Sequence, residues 1–195
     1  MTLTDAVGNV HQPAGDEARI VCLVPSITEL LCELGLAAQL VGRTGFCIHP
    51  RAVVAAIPKV GGTKDVRLER IKQLAPTHAI VNIDENRLQT AAALAEFVAH
   101  IVVTHPQAPR DNLDLYCLLG AIFGREAEAQ RLCDAFEESY SRLCSRARPP
   151  REVLYLIWRE PWMTVARDTY ISRTLALINW HTHPRLAADR YPEVA

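Results

Sequence analysis

Two groups of residues in this sequence have types and spacings suited to chemistry. The first is Phe46-Cys47-Ile48-His49, just ahead of Pro50. In an extended loop, Cys47 and His49 stand two residues apart and point the same way. A thiolate beside an imidazole suits a soft or borderline metal, or the iron or cobalt of a tetrapyrrole. His181 and His183 are a source of a third ligand, and a loop cysteine and histidine with no metal is the plain alternative. The second group is Trp158-Arg159-Glu160-Pro161-Trp162, which places two of the three tryptophans in one loop. With Phe46 it suggests an aromatic wall for a large, flat ligand; the alternative is that these rings pack on their own lobe. Arg43 and Arg159 carry the planar guanidinium that pairs with carboxylates, or they form surface salt bridges. Asp84-Glu85-Asn86 follows an apolar run and opens a helical pattern, so it reads as ligand contact or as helix capping by Asp84 or Asn86.

These residues need elements to hold them. Arg19 to Val24 is a β-branched apolar run ended by Pro25, the pattern of a buried strand. Ser26-Ile27-Thr28-Glu29 matches a capping box, with Ser26 accepting from the Glu29 amide, and Gly35 closes the helix it starts. Leu40 to Arg43 reads as a strand, and Pro58 to Lys64 as a turn-rich connection. A short helix from Leu68 to Leu74, a strand from Thr77 to Asn82, a helix from Arg87 to Val98 and a strand from His100 to Thr104 follow. Strands alternating with helices at such spacings predict a parallel sheet wrapped on both faces. The longest element runs from Glu126 to Arg146. Leu132, Phe136, Tyr140 and Leu143 recur every three or four residues on it, which predicts a helix of roughly 30 Å. Strands at Glu152 to Trp158 and Met163 to Ala166 and a helix from Thr169 to Leu177 come after it. The expected organisation is a flexible tail over 1–18, an α/β lobe over 19–108, connecting helices over 109–148 and a smaller α/β lobe over 149–195.

Composition narrows the function classes. Hydrophobic residues make up 49% and the net charge is -1, so no field favours nucleic acid or an anionic membrane. No apolar run reaches the length of about 20 residues that a membrane span needs. The N-terminal stretch has neither a basic n-region nor an apolar h-region, which predicts a cytoplasmic chain. Six cysteines occur without any C-x-x-C pair. Cys22, Cys32, Cys117, Cys133 and Cys144 fall in apolar periodic positions, so buried free thiols are expected. Enzyme motifs are absent: there is no G-x-S-x-G, P-loop, G-x-G-x-x-G or H-E-x-x-H, and Ser26 after Pro25 lacks the surroundings of a nucleophile elbow. No catalytic residue and no required cofactor is expected.

The run Val24-Pro25-Ser26-Ile27-Thr28-Glu29-Leu30, with Leu34-Gly35-Leu36 and Val41-Gly42-Arg43-Thr44, resembles the class III periplasmic binding proteins, the helical-backbone receptors for cobalamin, iron-siderophores and haem. Pro58-Lys59-Val60-Gly61-Gly62, Leu68-Glu69-Arg70-Ile71, Leu74-Ala75-Pro76-Thr77, Gly124-Arg125-Glu126 and Tyr191-Pro192-Glu193 continue the likeness in order. The resemblance implies two Rossmann-like α/β lobes joined by a long backbone helix, with a corrinoid, haem or metal chelate held between them for an ABC permease. It places Phe46 and Tyr191 where cobalamin binders carry aromatic residues and likens Glu69 to a permease-docking glutamate; Pro25 and Ser26 are further candidate ligand contacts. Two positions that are tryptophan in cobalamin binders fall on Lys64 and Ile83. In the family a helix and a final strand follow the Tyr-Pro-Glu-Val segment, so the C-terminal lobe is expected to be truncated. Members are usually exported to the periplasm, which is the alternative to the cytoplasmic expectation. The alternative function is a cytoplasmic metal-binding protein that uses Cys47 and His49 and has no transport role.

Overall fold

A computed structural model describes residues 2–15 and 17–194. The chain folds into two compact units, one of residues 1–105 and 115–132, the other of 106–114 and 133–195. The first holds a four-stranded parallel sheet of β3 (Ile20–Cys22), β4 (Leu40–Arg43), β5 (His78–Asn82) and β6 (His100–Thr104), in the order β4-β3-β5-β6. Period-2 alternation sends neighbouring side chains to opposite faces. Ile20, Cys22 and Ile80 join one core with α1 (Pro25–Glu33), α5 (Asp111–Ile122) and Ala129 of α6 (Glu126–Cys144). Val21, Ala79 and Val81 join the other with Ile71 of α3 (Leu68–Gln73) and Leu94 of α4 (Leu88–Leu94). The remaining short helix, α2 (Arg51–Val54), follows the loop after β4. This is the expected parallel sheet covered on both faces.

Two glycines stand where a side chain would crowd its neighbours. A Cβ on Gly42 in β4 would lie 2.9 Å from Leu74 and 3.1 Å from Val60. A Cβ on Gly120 in α5 would lie 2.6 Å from Cβ of Ala129, so that helix approaches α6 more closely than any side chain allows.

Residues 2–15, expected as a loose tail, are ordered. β1 (Leu3–Thr4) and β2 (Val10–His11) form an antiparallel hairpin. Asp5 anchors it, because its buried carboxylate accepts from the amides of Val103, Val7 and Asn9 and meets the His11 ring. Burial raises the Asp5 pKa, but these donors outweigh it and hold the carboxyl below its ordinary value. A polar segment without periodicity gives no sign of such side-chain-to-backbone anchoring.

The second unit pairs β7 (Arg151–Val153) with β8 (Trp180–Thr182) in parallel through α7 (Tyr170–Ala176). Thr169 caps α7 by accepting from the Ser172 amide. The strand expected to run from Glu152 to Trp158 stops at Val153, and Met163 forms only isolated bridges, to Trp158 and Glu193. All six cysteines are free thiols. Cys22, Cys47 and Cys133 are buried, while Cys117 and Cys144 are exposed, contrary to their expected burial.

Candidate functional site

In the order β4-β3-β5-β6 the chain reverses direction of build between β3 and β5, so the loops that follow these two strands diverge at the carboxyl edge of the sheet. Ligands of open α/β sheets bind at this place. Pro25 and Ser26 lie directly beyond β3, as the first two residues of α1. Ser26 is not the expected helix cap: Val24 is the N-cap, no side chain caps the turn, and the Ser26 side chain is exposed. Pro25 already dispenses with an amide at the first helical position, so there is less for a cap to satisfy.

Beyond β5 the loop is built by two asparagines. The Asn82 side-chain oxygen accepts from the amides of Asp84 and Glu85, and its Nδ2 donates to Thr104 Oγ1 on β6. Asn86 Oδ1 accepts from the Asn82 amide at 2.8 Å, while its Nδ2 donates to the carbonyls of Leu23 and Thr63 at 3.3 and 3.0 Å. Asn86 is therefore a buried tie between three chain segments, neither a helix cap nor an open ligand contact. Asp84 and Glu85 are partly exposed at the loop surface. Burial raises the Glu85 carboxyl above its ordinary pKa, against the pull of Lys64. Lys64 Nζ donates to the Asp84 carbonyl, and His105 Nε2 is 3.5 Å from Asp84 Oδ1. Asn82, Thr63 and Thr104 were missed as site builders; the Asn-x-x-x-Asn spacing after an apolar run was the available signal.

The loop after β4 turns at Gly45-Phe46 and does not run extended. Alternation consequently fails, and Cys47 and His49 part company. Cys47 is fully buried, with its sulfur 3.1 Å from both Thr28 Oγ1 and Thr44 Oγ1, whereas His49 is exposed. The expected metal pair does not form, and the described residues hold no group of three His, Cys, Asp or Glu side chains placed for a metal ion. His181 instead meets Asn179 Oδ1 at 3.0 Å, and His183 is exposed. Arg43 is also corrected. Its guanidinium is buried and donates to the carbonyls of Val54 and Thr44, so it braces the loop rather than offering a charge to a ligand. The same turn leaves Phe46 65% exposed, an aromatic ring standing in solvent on a braced loop.

In the second unit, Trp158 and Trp162 lie on a tight hairpin closed by the Trp158–Met163 bridge, and both are exposed, at 64% and 48%. They do not pack away into their own unit. Arg159 sits over the Trp162 ring at 5.9 Å and 3.4 Å from the Glu160 carboxylate. Tyr191, more than a third exposed, lies on the segment that pairs Glu193 with Met163.

Residues 20–179 match the family model described as periplasmic binding protein. No curated protein matches the sequence. Among solved structures, the periplasmic vitamin B12 binding protein BtuF of Vibrio cholerae superposes with a TM-score of 0.83 at 20% identity, covering 92% of this chain and 71% of that one. The periplasmic heme-binding protein RhuT from Roseiflexus sp. RS-1 gives 0.79 at 19% identity, with 92% and 71% covered. The periplasmic heme binding protein HutB of Vibrio cholerae gives 0.74 at 23% identity, with 92% and 70% covered. At these identities the structures establish the fold: two α/β lobes and a long connecting helix.

Proposed function

This chain belongs to the periplasmic binding protein family, and from that premise we propose that it binds a corrinoid, a haem or a comparable metal chelate as the capture component of an ABC-type transporter. The family consists of substrate-binding proteins and is typically periplasmic. Among the described residues no helix is long and apolar enough to cross a membrane.

The observation that carries this reading is the Phe46 ring, 65% exposed at the carboxyl edge of a parallel sheet on a loop held by buried hydrogen bonds. Leaving an aromatic face in water has no benefit for folding, whereas a large planar ligand recovers that area at about 25 cal/mol per Å², with about 1 kcal/mol more from ring stacking. Because the loop is already braced, little ordering is required on binding. Pro25, Ser26, Asp84 and Glu85 supply the neighbouring loop surface in the same unit. Trp158, Arg159, Trp162 and Tyr191 supply exposed aromatic and cationic surface in the second unit. Glu69, exposed on the first turn of α3, is the carboxylate assigned to permease docking.

Titration of cobalamin, cobinamide and haem, followed by tryptophan fluorescence and visible absorbance, tests the proposal. One of the three should bind saturably, and Phe46→Ala and Trp158→Ala should each weaken it about tenfold or more. No saturable binding of any of them, or wild-type affinity in both variants, would refute the reading.

A further inference from the structure

A second concave surface lies in the first unit, a groove of about 1000 Å³ beside the Phe46 loop. Its lining carries Lys59, Lys64, Arg67, Arg70 and Arg87 against one carboxylate, Asp65. The whole chain has 21 Lys and Arg to 22 Asp and Glu, so a five-to-one ratio in one groove is a strong local departure. These cations come from separate segments that the fold brings together: the turn-rich connection after β4, the start of α3, and the residue that caps α4. Asp65 offsets only Arg87, at 3.6 Å, and does so with its own side chain almost fully exposed. Lys64 donates to the Asp84 carbonyl and its charge also acts on the nearby Glu85 carboxylate. No salt bridge engages Lys59, Arg67 or Arg70 among the described residues. Glu69 stands next to Arg70 in sequence but does not line the groove.

Like charges crowded round a concavity repel one another, and that repulsion is relieved when an anion enters. Arginine forks hold phosphate or carboxylate in two-pronged fashion, and lysine adds a mobile point charge. The lining also includes the apolar side chains of Val66, Leu68 and Ala93. A volume of this size exceeds what a single phosphate or carboxylate fills. We propose that this groove binds a polyanionic small molecule, one carrying two or more phosphate or carboxylate groups. The groove takes in Gly45 of the Phe46 turn, while its five cations lie on other segments.

Isothermal titration with inorganic pyrophosphate and with citrate is the direct test, run on the full chain. Saturable binding to one of them is expected, weakening as salt rises from about 50 to about 300 mM. The double variant Arg67→Gln/Arg70→Gln should lose about tenfold or more in affinity. Lys59→Gln/Lys64→Gln should do the same, which guards against one pair failing to fold. Arg131→Gln/Arg142→Gln, which removes two cations from α6, should bind as the parent does. Absence of saturable binding at millimolar anion, or equal weakening by the α6 variant, would overturn the proposal. So would binding to phosphatidylglycerol vesicles without binding to pyrophosphate or citrate, because the patch would then be a membrane-facing surface.

Discussion

Asn86 Nδ2 donates to the Leu23 carbonyl at 3.3 Å, joining two residues 63 apart in sequence, one just beyond β3 and the other just beyond β5. The same nitrogen donates to Thr63 at 3.0 Å, and the side-chain oxygen takes the Asn82 amide. One side chain thus holds three segments at the edge where ligand binding is proposed. Replacing it leaves buried carbonyls without a donor, at about 1–3 kcal/mol. Asn86→Ala should lower stability by that order in urea unfolding and speed amide exchange at Asn82. Asn86→Asp should also lower stability, because a carboxylate loses the donor to Leu23 and Thr63, but it keeps the acceptor and so leaves the Asn82 amide protected. Parent-like stability in both variants, with exchange at Asn82 unchanged in Asn86→Ala, would show that the tie is dispensable.

Phe46 and Arg43 adjoin one turn with opposite roles, and mutation should separate them. Phe46 is exposed, so Phe46→Ala should alter stability by less than about 0.5 kcal/mol while weakening ligand binding. Arg43 is buried and donates to two carbonyls, so Arg43→Ala should destabilise the fold by roughly 2 kcal/mol or more. Thermal unfolding alongside ligand titration reads both effects.

The Gly120 position offers a packing test. Gly120→Ala adds a methyl that meets Ala129 at 2.6 Å and the Arg125 carbonyl at 3.1 Å. Alanine favours a helix by nearly 1 kcal/mol over glycine, but overpacking costs about 1–3 kcal/mol. A net loss of stability is expected; a net gain would show that α5 and α6 can separate without cost.

Acid should weaken the first unit through His78. This side chain is buried, stacks on His100 at 4.6 Å between centroids and donates to or accepts from Thr77 Oγ1. Burial, and then the neighbouring His100 and His11, lower its pKa to about 4. The unfolded chain takes up this proton near pH 6.5 and the folded chain resists it until about pH 4. Stability should therefore be level above pH 6.5 and fall through that window, by up to about 1.4 kcal/mol per pH unit from this group. Asp5, held below its usual value, loses its anchoring contribution at still lower pH. Replacing His78 by Asn should flatten the slope between pH 6.5 and 4 in urea midpoints.

Thiol reactivity should follow exposure. With an aromatic disulfide reagent at neutral pH, Cys117 and Cys144 should react first and Cys32 more slowly, while Cys22, Cys47 and Cys133 should react only on unfolding. Cys22 is the most protected, its pKa pushed up to about 12 by burial. Six thiols should be found in total.

Much of the architecture is written in local pattern. Apolar runs ending at Pro25 and Asn82 specify buried parallel strands because a strand covered on both faces must be apolar on both. The helix ending at Gly35 is legible for a similar reason: glycine adopts the left-handed conformation at φ 77° that stops a helix. The exposed ring of Phe46 could also be anticipated from where it falls beyond a strand end, whereas the strand expected to lead up to Trp158 stops at Val153. What sequence could not settle is which way a side chain turns once a loop bends. Cys47 and His49 diverge because a turn at Gly45-Phe46 replaces the extended backbone that alternation assumes. Arg43 faces inward to the Val54 carbonyl, which only the folded α2 segment brings near, and Asn86 serves Leu23 rather than its own helix. The basic groove is the same kind of fact: Lys59, Arg70 and Arg87 line one groove only because the sheet crossovers fold their segments together, and no spacing along the chain encodes that meeting.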